Sequence, residues 1–431
     1  METPPYIYGI DDRPPFHYGL LYGLQWAFIT FPAVIIAATL CGAALNLGLA
    51  ESIRFLRLAL LTTGLFTLLQ TLWGHRYPLV DGPSTAVVLT VILLAPQGLA
   101  AIQGGMILGG MLLILIVLSR QLERIFRLFT PNVVGVILML IALGLLPPLL
   151  KMLTGIDEGH PQGESPILLI SLGLIFLIAV LNGRLKGFLK TVSMLVGMMA
   201  GSLVFLFLGR LGWQGVATAS WVSFSTRWIV SVPGITWPAA VGFACAYLAV
   251  IVNTLGSLQG VAAMTDESRL PGAMGRGILL NGVEGITCGL LGVVGATVSF
   301  SFSPGVILLN RVASRFVLSY CGMILVLAAF LPKLTALLAL VPAPVVGAAL
   351  CVAMGGQIGA GMEIIASKKI ASRDYFVVGL PLLLGTLVGF FPSGLMESLP
   401  DFSRVFLGNS LIVGIVSVLL MEHLIYPRAE D

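Results

Sequence analysis

Apolar residues in this chain do not alternate with polar ones. They gather in long runs separated by short polar, Pro- or Gly-containing stretches. A helix needs about 20 apolar residues to cross a bilayer core of about 30 Å. On that measure the runs predict fourteen membrane spans, near 19–45, 52–73, 84–96, 98–119, 128–148, 166–182, 187–208, 238–262, 275–293, 304–314, 316–332, 343–365, 375–392 and 405–425. The third and tenth are too short to cross alone.

Those two short runs share a second peculiarity. Tyr77–Ser84 leads into the third, and Thr297–Gly305 leads into the tenth. Both stretches are poor helix formers, and the second alternates small polar with apolar residues as an extended strand does. Pro83 and Pro304 then stand where a helix begins, a position at which the missing N–H is harmless. Non-helical backbone at membrane depth survives only where protein or a watery cavity satisfies its polar groups. Broken spans at matching positions of two halves point to a transporter's central site. Each lies third in a seven-span half, so the two repeats are expected to have opposite topology. Their half-helix N-termini would then meet near the midplane, dipoles aimed at a substrate.

Composition agrees with the membrane reading. Of 431 residues, 58% are hydrophobic and 10% charged, against about 25% charged in soluble domains. The net charge of +4 gives no sign of nucleic-acid binding, and the expected surroundings are lipid. With the N-terminus inside, 16 Lys and Arg fall on the inner side and 7 on the outer. That bias predicts both termini in the cytoplasm and an inner (cell) membrane location. Residues 1–18 read as a cytoplasmic tail and 426–431 as a second one. The Trp-, Ser- and Thr-rich stretch 209–237 reads as an extracytoplasmic loop between the halves. The five cysteines lie in apolar runs without metal-ligand spacing, and read as packing residues.

Several motifs resemble the nucleobase–ascorbate transporter family, the nucleobase:cation symporters that include uracil and xanthine permeases. Gln25-Trp26 resembles its Gln-His, and Gly82-Pro83-Ser84 its Gly-Ser-Ser. The stretch from Ile251 to Ser257 resembles its eighth span. Asn281-Gly282 with Gly289 and Gly292 resembles the ninth. Ser303-Pro304-Gly305-Val306 resembles Asn-x-Gly-Val, and the stretch from Val341 to Gly347 resembles Pro-x-Pro-Val-x-Gly. The resemblance implies an all-α fold of fourteen segments in two inverted seven-segment repeats, with short strands before half-helices 3 and 10. It implies a core domain at 19–119 and 238–332, and a gate domain at 120–208 and 333–425. It also implies a homodimer through the gate domain.

The site departs from the family pattern. Asn253 stands where uracil-type members carry a Glu. Ser301 or Phe302 stands where they carry a second acid, because counts from the two flanking motifs differ by one residue. Ser257 replaces the polar residue one turn on, often His, and Thr85 replaces an aromatic. The expected substrate-binding set is therefore Ser84, Thr85, Asn253, Ser257, Ser301, Phe302 and Gly305, with Ser84 and Gly305 presenting backbone N–H groups. Phe302 or Phe300 is the candidate ring-stacking partner. Asn253 can donate and accept in a base-like pattern but cannot titrate.

Asp81 is the acid placed to lie in the membrane. It reads either as a coupling residue for H+ or Na+ or as a cap for the third-span helix. Glu284 and Glu363, nearer the cytoplasmic ends of spans nine and twelve, read as snorkelling or loop-facing residues. His17, His75, His160 and His423 read as surface residues. The leading function is a permease for a nucleobase-like substrate such as uracil, xanthine or another purine. The alternative is an inorganic or organic anion transporter or exchanger on the same fold. No nucleophile–base pair or metal cluster is visible at membrane depth, so neither an enzyme nor a bound cofactor is expected.

Overall fold

The computed structural model describes residues 6–122, 128–156, 159–223, 232–300, 303–392, 398 and 407–427. These form an all-helical membrane protein. In chain order the helices of the first half are α1 (Phe16–Ala44), α2 (Leu49–Leu72), α3 (Thr85–Leu94), α4 (Leu99–Leu118), α5 (Pro131–Gly144), α6 (Leu146–Thr154), α7 (Ser165–Arg184), α8 (Gly187–Thr191) and α9 (Ser193–Phe207). A short α10 (Gln214–Thr218) precedes α11 (Trp237–Ala262), α12 (Leu270–Leu291), α13 (Ser303–Asn310), α14 (Arg315–Ala329), α15 (Pro332–Ala339), α16 (Ala343–Ala366), α17 (Ser372–Val388) and α18 (Ser410–Leu420). Every expected span interval contains a described helix. By length and composition, seven spans among the described residues could cross a membrane, or eight if one sharply bent helix pair is included.

Three expected spans are not single rods. The fifth breaks at Leu145 ahead of Pro147 and Pro148, so that α5 gives way to α6. The seventh begins as the short α8 and restarts at Ser193. The eleventh ends at Ala329, and the chain turns by 91° into α15, which the hydrophobic pattern alone did not separate from a loop. Proline near the fifth- and eleventh-span breaks (Pro147, Pro332) removes a donor and favours a fresh helix start; the break before Ser193 has no proline.

Close packing relies on glycine. Gly64 of α2 meets Gly322 of α14 so closely that a Cβ on either would stand 2.6 Å from the other's carbonyl oxygen. Gly110 of α4 and Gly282 of α12 stand in the same relation at 2.5 and 2.7 Å, as do Gly135 of α5 and Gly361 of α16. Small residues let membrane helices touch backbone to backbone, where lipid offers no hydrophobic drive for association. The run Gly104-Gly105 and Gly109-Gly110 serves this purpose: Phe243 and Tyr247 of α11 fill the hollows at Gly105 and Gly109. In the same bundle α2 lies along α14, α4 along α12, and α11 against α4. Elsewhere α16 packs on α5 and α7, while α18 packs on α17 and α5.

Candidate functional site

The stretch before α3 and the stretch before α13 meet as a two-stranded antiparallel ladder. Strand β1 (Asp81–Gly82) pairs with β2 (Val298–Ser299), Asp81 opposite Ser299 and Gly82 opposite Val298. Two further backbone bonds extend it: Thr297 N–H donates to the Gly82 carbonyl and Phe300 N–H to the Val80 carbonyl, both at 2.9 Å. Each strand is fully buried. The ladder answers the need of extended backbone in an apolar interior for partners. Gly82 is required here, since the Phe300 ring lies where its Cβ would be.

From this crossing the two half-helices leave. At about 1.5 Å per residue, the ten residues of α3 and the eight of α13 reach about 15 and 12 Å, no more than half a bilayer core. Helix α11 packs against α3, α13 and β2 together, and its Thr254 and Ser257 bond Ser299 of β2 at the crossing.

The predicted residues divide into two groups. Thr85 and Asn253 are half-buried and Gly305 is exposed, with nothing within 4 Å of where a Gly305 Cβ would be. Gly256 opens onto similar space. Thr85 Oγ1 lies 3.4 Å from Gln357 Oε1 of α16 and donates to it. Ser84 and Ser257 are committed internally. The Ser84 N–H donates to Thr297 Oγ1 at 2.8 Å, so it is not presented to a substrate as expected. The Ser257 hydroxyl lies within hydrogen-bond reach of the carbonyls of Asn253, at 2.8 Å, and Ser299, at 2.9 Å. Ser301 and Phe302 lie outside the described residues. Phe300 packs over Gly82.

Behind the ladder lies a buried polar network that sequence reasoning misplaced. His75 and Glu284, expected at the surface, are both fully buried. Asp81 caps no helix: α3 has Ser84 at its N-cap, without a side-chain cap bond. Instead Asp81 Oδ1 accepts from Ser299 Oγ at 2.7 Å, and Oδ2 faces His75 Nε2 at 3.6 Å. Glu284 accepts from Gln70 Nε2 at 3.0 Å and from Asn281 Nδ2 at 2.8 Å. Thr254 Oγ1 donates to Asn281 Oδ1 at 3.0 Å. Glu363, His17, His160 and His423 are exposed, as expected. The one sequence signal for Glu284 is its spacing: it lies one turn beyond Asn281, and so on the same helix face.

Two polar contacts join distant helices at the periphery of the site. Gln25 and Asn310 exchange amide bonds at 3.2 and 3.1 Å, and Gln25 Nε2 also reaches Thr191 Oγ1 at 3.2 Å.

An all-helical membrane bundle in which two short helices leave a paired crossing has counterparts among solved structures. It matches the transmembrane domain of a cyanobacterial bicarbonate transporter, BicA, with a TM-score of 0.61 and 14% identity over 95% of this chain and 98% of that one. It also matches the murine Slc26a9 anion transporter, with a TM-score of 0.59 and 14% identity over 95% of this chain and 69% of that one. At this identity the likeness concerns the fold alone.

The sequence gives the narrower assignment. The family model Xan_ur_permease, described as a permease family, matches residues 18–394, and the chain belongs to that family. A relative from Clostridium perfringens is 28% identical across 96% of this chain and 92% of its own. The uric acid permease PucK of Bacillus subtilis is 26% identical, over 94% of each chain. The xanthine permease of Bacillus subtilis is 22% identical over 94% of this chain and 92% of its own. The protein is a multi-pass membrane transporter and not an enzyme.

Proposed function

We propose that this chain is a secondary active permease for a purine-like nucleobase, of the xanthine or uric acid kind, working by alternating access. The observation that carries the mechanism is the β1–β2 crossing, from which the half-helices bearing Thr85 and Gly305 both leave, and to which Ser257, one turn from Asn253, is bonded. The relatives named for uric acid and xanthine supply the substrate class. Asn253 offers an amide that both donates and accepts, suited to the edge of a purine. Thr85 and Gly305 line the same space, Ser84 and Ser257 hold its backbone, and Ser301 and Phe302 complete the set.

The architecture proposed is fourteen segments in two inverted seven-segment repeats. The glycine contacts support it. Exchanging each segment for the one seven places on turns the α2–α14 contact into the α12–α4 contact, and returns the α5–α16 contact to itself. Packing supports a core of segments one to four and eight to eleven, moving against a gate of five to seven and twelve to fourteen. We place both termini in the cytoplasm of a cell whose inner membrane holds the protein, on the charge asymmetry, and take a gate-to-gate homodimer as the working assembly.

Uptake of labelled xanthine into proteoliposomes tests this reading, with unlabelled urate, uracil, bicarbonate and sulfate as competitors. Saturable uptake blocked by urate and not by the inorganic anions is expected. Uptake blocked only by inorganic anions would transfer the protein to the anion-transporter class.

A further inference from the structure

The family's two site carboxylates are missing here, yet two carboxyl groups are buried one layer behind the site. Asp81 and Glu284 are both fully buried, and Asn281 lies beside both. No Lys or Arg is among the described buried residues. Two negative charges in one dry network without a compensating cation would be strongly unfavourable. The groups around them are known for each packing element. Gln70 and Thr67 come from α2, and His75 follows it. Asn281 and Cys288 come from α12, Thr254, Ser257 and Tyr247 from α11, and Ser299 from β2. Of these only His75, Tyr247 and Cys288 titrate, and none carries a fixed positive charge.

The four carboxyl oxygens are not equivalent. Both oxygens of Glu284 accept amide N–H bonds, and Asp81 Oδ1 accepts the Ser299 hydroxyl. Asp81 Oδ2 has no hydrogen-bond partner, and neither does His75 Nε2 opposite it at 3.6 Å. His75 Nδ1 accepts the Tyr77 N–H at 3.0 Å, so the neutral ring carries its proton on Nε2. Asp81 Oδ2 is thus the one oxygen of the four without a donor already pointed at it, which makes the gap the readiest seat for a proton. A sodium ion would meet N–H and O–H donors on the other three oxygens.

The residues that form the buried gap have neighbours on two sides. A cavity of about 630 Å³, lined by Asp11, Arg76, Arg269, Arg276 and Arg315, reaches His75 from the face that carries the N-terminal tail. On the other side Ser299 bonds Asp81 directly through its hydroxyl and is linked to Glu284 by a relay, from its N–H to Thr254 Oγ1, on to Asn281 and so to the carboxyl. Its carbonyl accepts from Ser257, one turn from Asn253.

We infer that Asp81 and Glu284 together hold one exchangeable proton, seated at the His75–Asp81 gap, and that its loss or gain reaches the substrate site through Ser299. The role as a coupling proton rests on the permease reading; the proton site itself does not. When the proton is on Asp81 Oδ2, the O–H opposes the Nε2–H of His75 and the ring stands off. When it leaves toward the cavity, the carboxylate draws His75 in and tightens its hold on Ser299, shifting β2 against α11.

Infrared difference spectra of the purified full-length protein across a pH titration test the site without any substrate. A carbonyl-stretch band of a protonated carboxyl, present at neutral pH in the wild type and lost in Asp81→Asn with Glu284→Gln, is expected. Ser299→Ala, a milder change, is expected to shift the pH at which the band disappears. Absence of the band from the wild type, or its persistence in the folded double variant, would overturn the proton site. A second arm compares uptake of labelled xanthine with and without an imposed pH gradient. The stimulation is expected to fall about tenfold in Asp81→Asn, and full stimulation there would overturn the coupling role. Failure of the wild type to take up xanthine or urate would count against the permease reading alone, leaving the infrared result to decide the site.

Discussion

Ser299 and Asp81 face each other across a two-residue antiparallel ladder, joined by backbone pairing and by a 2.7 Å bond from the serine hydroxyl to the carboxyl. One residue pair thus fixes both the register of the extended chain and the position of a buried acid. Shifting that register by one residue would turn Ser299 away from Asp81 and aim Phe300 at it.

Thr297→Val tests the crossing itself. The hydroxyl it removes accepts the Ser84 N–H at 2.8 Å, and a buried donor left without a partner costs about 1–3 kcal/mol. A lower melting temperature and a raised KM for uptake are expected, measured on purified protein and in proteoliposomes. A melting temperature equal to wild type would show that the bond is dispensable.

Asn253→Ala is expected to abolish saturable uptake while expression and melting temperature stay near wild type. The residue is half-buried, so on the proposed reading its loss removes recognition without opening a core cavity. Normal uptake by a well-folded variant would remove Asn253 from the site.

Gly322→Leu addresses the helix contact. A side chain there would strike the Gly64 carbonyl and Leu68, and overpacking typically costs about 1–3 kcal/mol. Reduced folded yield and a lower melting temperature are expected, whereas the same change at Gly379, which has open space around it, should leave both unchanged.

The N-terminal tail supplies a pH prediction. Tyr8 bridges Val312, and Asp11 pairs with Arg269 and with Arg315. The hydrogen bond from Arg269, helped by that from Arg315 and opposed by desolvation, holds the Asp11 carboxyl at about 2, below its usual 3.8. Because its value is depressed on docking, the contribution is complete above about pH 4 and is lost as pH falls towards 2. Protection of residues 6–12 from hydrogen exchange, taken relative to the intrinsic rate at each pH, should therefore be high at pH 5 and fall in acid. Asp11→Asn should show low protection at every pH.

The hydrophobic pattern disclosed where helices lie, and Pro83 and Pro304 disclosed where two short ones begin after extended chain. Both signals are local: run length and a missing N–H. The polar network was hidden because position along a span says nothing about which face turns inward. Glu284 stands mid-helix near Tyr247, while His75, just past α2, is covered by Gly277 of α12. The Ser84 amide was misjudged for a related reason, since its partner Thr297 lies 213 residues away. The breaks at Leu145 and Ala329 fall inside apolar stretches, where composition does not change.

The claim that a purine sits at the crossing is tested most directly by substrate protection. Cysteine is placed at Gly305, and separately at Gly256, in a chain whose five native cysteines are replaced, and labelled with a small maleimide. Xanthine and urate are expected to slow labelling at both positions, and bicarbonate and sulfate to leave it unchanged. Labelling of both positions that proceeds at the same rate with and without either purine, in a variant that still transports it, would place the substrate elsewhere.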